Sequence, residues 1–283
     1  MTTQRFSKMH GIGNDFVVLD CRDAPFSLSA AQIRAMADRH TGVGFDQLLS
    51  IGGARDPGCA FYYDIFNADG SRAGQCGNGV RCVAAWLHRD GALALGQTVR
   101  IESPSSAVAV RLIDANHVIV DMSIPVFEPA QSGFDATHAA THYPINAAGD
   151  VRQIGVVSLG NPHTVLVVDD LRSAELEQLG PLLSTHARFA KGVNAGFVQR
   201  VDRSRLKLRV HERGAGWTQA CGTGACAAMA VLHQRGEVDD SVQVSLPGGT
   251  LRIDWAGPGQ PLWMSGPASF VFEGEWFIPA DCS

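Results

Sequence analysis

A twelve-residue pattern occurs twice in this chain. CGNGVRCVAAWL begins at Cys76 and CGTGACAAMAVL at Cys221, an offset of 145 in a chain of 283 residues. Each copy follows a strand-like run, FYYDIF at 61–66 and LKLRVH at 206–211. Other landmarks keep the same order. GNDFVVL at 13–19 echoes GNPHTVLVV at 160–168, so Asn14 precedes Asn161 by 147 residues. Gln47 precedes Asn194 by 147, and Asn67 precedes Glu212 by 145. A glycine-rich turn repeated once is weak evidence, but four landmarks in register indicate a duplicated domain; the period is too long for a solenoid. The length agrees, since one hydrophobic core rarely serves so many residues.

Local patterning gives each half a mixed composition. Alternating or β-branched runs predict strands at 16–20, 47–51, 107–113, 117–122, 164–168, 242–246 and 249–255. Helices are expected at 29–40, with Ser29 as N-cap, and at 173–186. The segments after the two Cys-Gly turns are small or apolar nearly all round, and a helix apolar on every face is buried on every face. The expected fold is therefore α/β of the α+β type. It has two pseudo-symmetric domains, each a mostly antiparallel sheet or barrel wrapped round a central helix. The halves are expected over 1–119 plus 269–283 and over 120–268. The Ala-, Pro-, Gly- and His-rich stretch 127–150 reads as a surface connection.

Composition narrows the function. With 45% hydrophobic and 18% charged residues the chain is globular. A net charge of −5 argues against nucleic acid or anionic membrane as partner. No stretch approaches a membrane span, and the N-terminus lacks the apolar region of a signal peptide. Seven cysteines, at 21, 59, 76, 82, 221, 226 and 282, suit a reducing cytoplasm better than a disulfide framework. Cys82 and Cys226 read as buried structural thiols. Neither cysteine pair has the CxxC spacing of a metal site, so no metal is expected. The chain has only three lysines, Lys8, Lys191 and Lys207, against 20 arginines. GIGNDF fails as a dinucleotide fingerprint, because Phe16 stands where a glycine is needed and no βαβ pattern follows.

Cys76 and Cys221 are different. Each is placed to cap a helix N-terminus, where unpaired amides and the macrodipole favour a thiolate. The flanking glycines 77, 79, 222 and 224 allow sharp turning and close approach of a ligand, and such amides bind carboxylates. Two such turns facing one cleft would hold a carboxylate and set a sulfur on each side of the neighbouring carbon. Stereoinversion by proton transfer requires a base on one face and an acid on the other, and needs no cofactor. The repeat is also broken where Phe16 corresponds to His163 and Asn67 to Glu212. His163 and Glu212 are thus candidates for deciding which sulfur holds the proton.

The motifs KMHGIGNDFVVLD, GFDQLL, FNADGS, QCGNG, GNPHTV, GVNAGF and HERGAGWTQACGTGACA together resemble the diaminopimelate epimerase family over nearly the whole chain. Proline racemases are similar but typically carry His where this chain has Asn78, and phenazine-type isomerases lack the cysteine pair. Arg72 departs from the family, which often has an acidic residue there. The resemblance implies a pyridoxal-independent interconversion of LL- and meso-2,6-diaminopimelate in lysine and peptidoglycan precursor synthesis, commonly by a homodimer. It implies that Cys76 and Cys221 are the catalytic thiols, with Cys76 donating and Cys221 accepting in the usual direction. It assigns the substrate to Asn14, Gln47, Asn67, Gly77, Asn78, Asn161, Asn194, Glu212, Arg213, Gly222 and Thr223. Amides at 77–78 and 222–223 suit the carboxylate at the reacting carbon; Glu212 suits an ammonium and Arg213 the far carboxylate. A non-catalytic amino-acid-binding module would need the carboxylate grip but not the cysteines.

Overall fold

The computed structural model describes residues 2–279. The first stretch of chain runs β1 (Thr3–Gly11), β2 (Asn14–Asp20), α1 (Ala30–Ala37), β3 (Gln47–Gly53), β4 (Phe61–Asn67), β5 (Arg72–Ala73) and α2 (Gly77–Arg89). It continues through β6 (Thr98–Glu102), β7 (Ala107–Asp114) and β8 (His117–Asp121). The second stretch opens with β9 (Tyr143–Ala147), β10 (Asp150–Ser158), β11 (Pro162–Val167), α3 (Glu175–Ser184), β12 (Asn194–Arg200), β13 (Arg205–Glu212) and β14 (Gly216–Trp217). Then come α4 (Gly222–Gln234), β15 (Ser241–Leu246), β16 (Gly249–Asp254), β17 (Trp263–Pro267) and β18 (Ser269–Phe277). The chain divides into two compact units: Asp121–Ser265, and a first unit formed by the chain before and after it.

Within the first unit the strands pair in the order β18-β1-β2-β3-β4-β6-β7-β8. Only β2–β3 and β4–β6 are parallel. Within the second unit the order is β9-β10-β11-β12-β13-β15-β16-β17, and only β11–β12 and β13–β15 are parallel. The two units thus share one topology, with the final strand of the chain taking in the first unit the place that β9 holds in the second. Register agrees as well: Phe16 stands opposite Gln47, and its counterpart His163 stands opposite Asn194.

Each sheet curls round a helix. α2 packs on β1, β2 and β3 and also on β7, near the far end of the strand order, while α4 touches β10 through β13, β15 and β16. Burial runs almost without a break along α4, from Gly224 to Leu232. In α2 the buried face includes a charge: Arg81 is fully buried, and its guanidinium donates to the carbonyls of Pro267 at 3.3 Å and Gly77 at 3.4 Å. Small side chains bring strand and helix together. A Cβ on Gly155 of β10 would lie 2.3 Å from Val231 Cγ1 on α4.

Some expectations change. α1 is shorter than 29–40: its Ser29–Gln32 capping box starts it as expected, but Asp38 leaves the helix and accepts the amides of His40 and Thr41. The stretch 127–150 is more than a surface connection. It contributes β9, and Phe134, Tyr143 and Ile145 are buried in the core of the second unit, where α3 supplies Leu176, Leu179 and Leu183. Its polar, Ala-rich composition conceals three separated apolar anchors, too few for a periodic signal.

Candidate active site

Both cysteines cap their helices. Cys76 has extended backbone and accepts the Gly79 amide at 3.4 Å; Cys221 is likewise extended and accepts the Gly224 amide at 3.3 Å. The sequence supplies this geometry, because a small polarisable side chain followed by Gly-x-Gly leaves the first-turn amides open to the sulfur. None of Gly77, Gly79, Gly222 and Gly224 has positive φ. Gly79 and Gly224 are needed for closeness: a Cβ would lie 3.2 Å from Leu49 Cδ2 in the first case and 2.9 Å from Val210 Cγ2 in the second.

In the first unit, Asn14, Cys76 and Asn78 come together. Asn14 Oδ1 accepts the Cys76 thiol at 3.7 Å and the Asn78 amide at 3.1 Å. The other end of Asn14 donates from Nδ2 to Asp46 Oδ2 at 2.9 Å. Asp46 belongs to a charged group that the sequence reading missed. It accepts the Asp15 amide at 3.1 Å and the Arg39 guanidinium at 2.8 Å, while Arg39 also holds Asp15 and Lys8 donates to Asp15 and to the Gly44 carbonyl. Burial works against ionisation of Asp15, but Arg39 and Lys8 outweigh it and hold the carboxyl down at about 2. Gln47 and Asn67 form a second pair, facing each other across β3 and β4 with Nε2 donating to Oδ1 at 3.0 Å.

Tyr63 is also fully buried, on the same strand face as Asn67, and burial followed by the nearby Cys76 sulfur pushes its phenol pKa up. Cys82, buried one and a half turns into α2, is pushed up to about 12 by burial, against the nearby Arg81 charge. Arg72 pairs with Asp64 at 3.3 Å, and Asp64 also accepts the Tyr62 hydroxyl at 2.7 Å. The departure from the family pattern is thus absorbed in a local ion pair on β4–β5.

In the second unit, Asn161, His163, Thr223 and Cys221 come together. His163 Nε2 lies 3.1 Å from Asn161 Oδ1, Asn161 Nδ2 donates to Thr223 Oγ1 at 3.3 Å, and that hydroxyl lies 3.7 Å from Cys221 Sγ. His163 is fully buried, and burial, then the Arg213 charge, lowers its pKa to about 3, so the ring is neutral. Against an amide oxygen its Nε2 is then the protonated nitrogen. Asn194 accepts the Arg213 amide at 2.9 Å and donates to the Pro162 carbonyl at 3.2 Å. Arg213 Nη1 donates to the Lys191 carbonyl at 3.2 Å, and Glu212 accepts the Thr218 hydroxyl at 2.5 Å. Asp46, Asp15 and Thr218 stand inside the motifs GFDQLL, KMHGIGNDFVVLD and HERGAGWTQACGTGACA, and Arg39 lies outside them; what the four do depends on folding distant segments onto one another.

Among the described residues no cluster of three His, Cys, Asp or Glu has the arrangement of a metal site. A cavity of about 610 Å³ in the second unit is lined by residues such as Arg152, Glu175 and Arg235, and none of the candidate residues takes part.

The fold is shared with solved structures of low sequence identity. It matches a hydroxyproline epimerase from Agrobacterium vitis with a TM-score of 0.68 at 16% identity, covering 96% of this chain and 92% of that one. It matches a phenazine biosynthesis protein of Bacillus anthracis with a TM-score of 0.69 at 14% identity, covering 98% and 100%. The sequence is more specific. The diaminopimelate epimerase family model matches residues 6–128 and 155–271. Diaminopimelate epimerases of Xanthomonas euvesicatoria pv. vesicatoria (strain 85-10) and Pseudomonas entomophila (strain L48) are 54% and 49% identical, each over 96% of this chain and over 96% and 98% of their own. The chain belongs to the diaminopimelate epimerase family.

Proposed function

We propose that this enzyme interconverts LL- and meso-2,6-diaminopimelate by moving one α-proton between the thiols of Cys76 and Cys221. In the forward direction the Cys221 thiolate takes the α-hydrogen, and the electron pair left on carbon takes a proton from the Cys76 thiol on the opposite face. The sulfurs exchange states and the stereocentre inverts, so no redox or acyl chemistry is required. The observation that carries this reading is a thiol at the N-cap of a buried helix, found at the same topological place in both units. The amides of the two helix first turns, at Gly77, Asn78, Gly222 and Thr223, serve the carboxylate whose charge grows as the α-carbon loses its proton.

Asn14, Gln47, Asn67, Asn161, Asn194, Glu212 and Arg213 bind the remaining groups of the doubly zwitterionic substrate. Glu212 and His163 tune the second thiol, a reading supported by the Glu212–Thr218 bond and by the hydrogen-bond chain from His163 through Asn161 and Thr223 to Cys221. The site of action is the cytoplasm, in keeping with the odd, scattered cysteines.

We further propose a homodimer. Among the described strands β18 pairs only with β1, and it exposes Val271 (55%), Phe272 (49%) and Phe277 (65%). An unpaired apolar edge of this kind is a template for a second copy.

The test of function is incubation of LL-diaminopimelate with the protein in D2O, without pyridoxal phosphate or added metal. The expected result is meso product carrying deuterium at one α-carbon, abolished in Cys76→Ser and in Cys221→Ser. Product without solvent deuterium, or unchanged turnover in either variant, overturns the reading.

A further inference from the structure

The two halves hold their equivalent asparagines in opposite senses. In the first unit Asn14 turns its carbonyl oxygen to the cysteine, because its Nδ2 is taken by the Asp46 carboxylate at 2.9 Å. In the second unit Asn161 turns its oxygen away, to His163 at 3.1 Å, and its Nδ2 points to Thr223, the hydroxyl neighbour of Cys221. The positions that hold the amides are exchanged between the halves. Asp46 corresponds to Val193 at the offset of 147, and His163 corresponds to Phe16. A carboxylate binds only the NH2 end of an amide, and a neutral imidazole N–H only its oxygen. One repeated asparagine is therefore set in two opposite orientations by neighbours that are not repeated: Asp46 at its NH2 and Asn78 Nδ2 at its oxygen in the first unit, His163 at its oxygen and Thr223 at its NH2 in the second.

The consequence falls on the sulfurs. An amide oxygen accepts a hydrogen bond from S–H and repels S⁻, whereas a hydroxyl can donate to S⁻. We infer that Asp46 is a positioning residue which, by fixing the Asn14 amide, keeps Cys76 protonated in the resting enzyme and makes it the proton donor of the pair. This deepens the two-thiol reading above and rests on it.

The following groups on the first unit's elements beside Cys76 do not supply the same selection. Tyr63 on β4 and Cys82 on α2 are neutral, Arg81 on α2 is bonded to carbonyls, and Lys8 on β1 is engaged by Asp15 of β2 and the Gly44 carbonyl. On β1, His10 accepts the Gly13 amide at 3.4 Å; the residues of β7 buried beside α2 are apolar. Arg39 closes the arrangement from outside by holding both Asp15 and Asp46.

The experiment reads the pH dependence of iodoacetamide alkylation at Cys76 and at Cys221 separately, by peptide mass spectrometry on the substrate-free protein. Loss of one hydrogen bond to the protonated form in Asp46→Ala lowers the Cys76 midpoint by about half a unit to one unit, with Cys221 unmoved. Asp46→Asn keeps an oxygen for Asn14 Nδ2 and stays at the wild-type midpoint. Asn14→Ala shifts as far as Asp46→Ala, and the double variant shifts no further, because both remove one interaction.

An unshifted midpoint in Asn14→Ala, or in a folded Asp46→Ala, overturns the proposal. So does a shift in Asp46→Asn equal to that in Asp46→Ala, which would assign the effect to charge alone. Should Asp46→Ala not fold, a lowered Cys76 midpoint in Asp46→Asn, or an unshifted one in Asn14→Ala, overturns the proposal, and a wild-type midpoint in the first with a lowered one in the second supports it. The assay needs no turnover, so its failure is separable from failure of the epimerase reading, which the deuterium experiment tests.

Discussion

His163 shows how a side chain proposed to tune the site can cost stability. Its ring is buried without a counter-charge, and its pKa lies at about 3 against an ordinary 6.5. The unfolded chain therefore binds a proton at this residue below about pH 6.5 that the folded protein refuses until about pH 3. The sign follows: the folded state loses stability as pH falls through that window, with a slope of up to about 1.4 kcal/mol per pH unit. His163→Phe, which installs the residue found at the equivalent position 16, removes this component. Urea midpoints of wild type and variant should diverge below pH 6.5 and run parallel above it; parallel curves throughout would show that His163 carries no such penalty. The same variant should shift the pH–rate profile, since it frees Asn161 beside Thr223 and Cys221. An unmoved profile removes His163 from the tuning of that thiol.

At the scale of elements, the fit of helix to sheet is the most demanding feature. α4 is built from small residues because β10 crosses it at a glycine, where a Cβ on residue 155 would stand 2.3 Å from Val231 Cγ1. Gly155→Ala should therefore destabilise the protein by about 1–3 kcal/mol through overpacking. Val231→Ala in the same chain should recover part of the loss by making room. Chemical denaturation of both variants checks the pair, and equal stability of the single variant and wild type would place the helix farther from the strand. Because the cysteine sits at the first turn of that helix, a shift of α4 also moves the sulfur, and activity should fall with stability. The sequence made this element readable through its even apolar run, but the contact with Gly155 lies 76 residues away in the chain and gave no local sign.

For the whole molecule, duplication would supply the two acid–base groups of one kind that the proposed mechanism needs, and a second copy would cover the exposed edge of β18. An exposed edge with two phenylalanines and a valine costs solubility unless it is covered. Val271→Lys combined with Phe277→Glu should convert the proposed dimer to monomer in light scattering while each unit keeps its fold by circular dichroism. A wild-type chain that is monomeric across concentration would remove the dimer proposal.

The sequence by itself determined the duplication, the helix N-caps, the candidate thiols and the family, because these are written in short segments repeated at a fixed offset. It also placed Asn14 beside Asn161 and Gln47 beside Asn194 in the alignment of the halves, which the matching strand registers of β2–β3 and β11–β12 reproduce. Only the tertiary structure decided what those asparagines do. Asp46, Arg39, Asp15 and Lys8 converge from separate segments, and the burial of His163 and the close approach of Gly79 to Leu49 are properties of the packed chain. Orientation of an amide depends on which neighbour reaches it in space, so two identical residues in two similar sequences came to face in opposite ways.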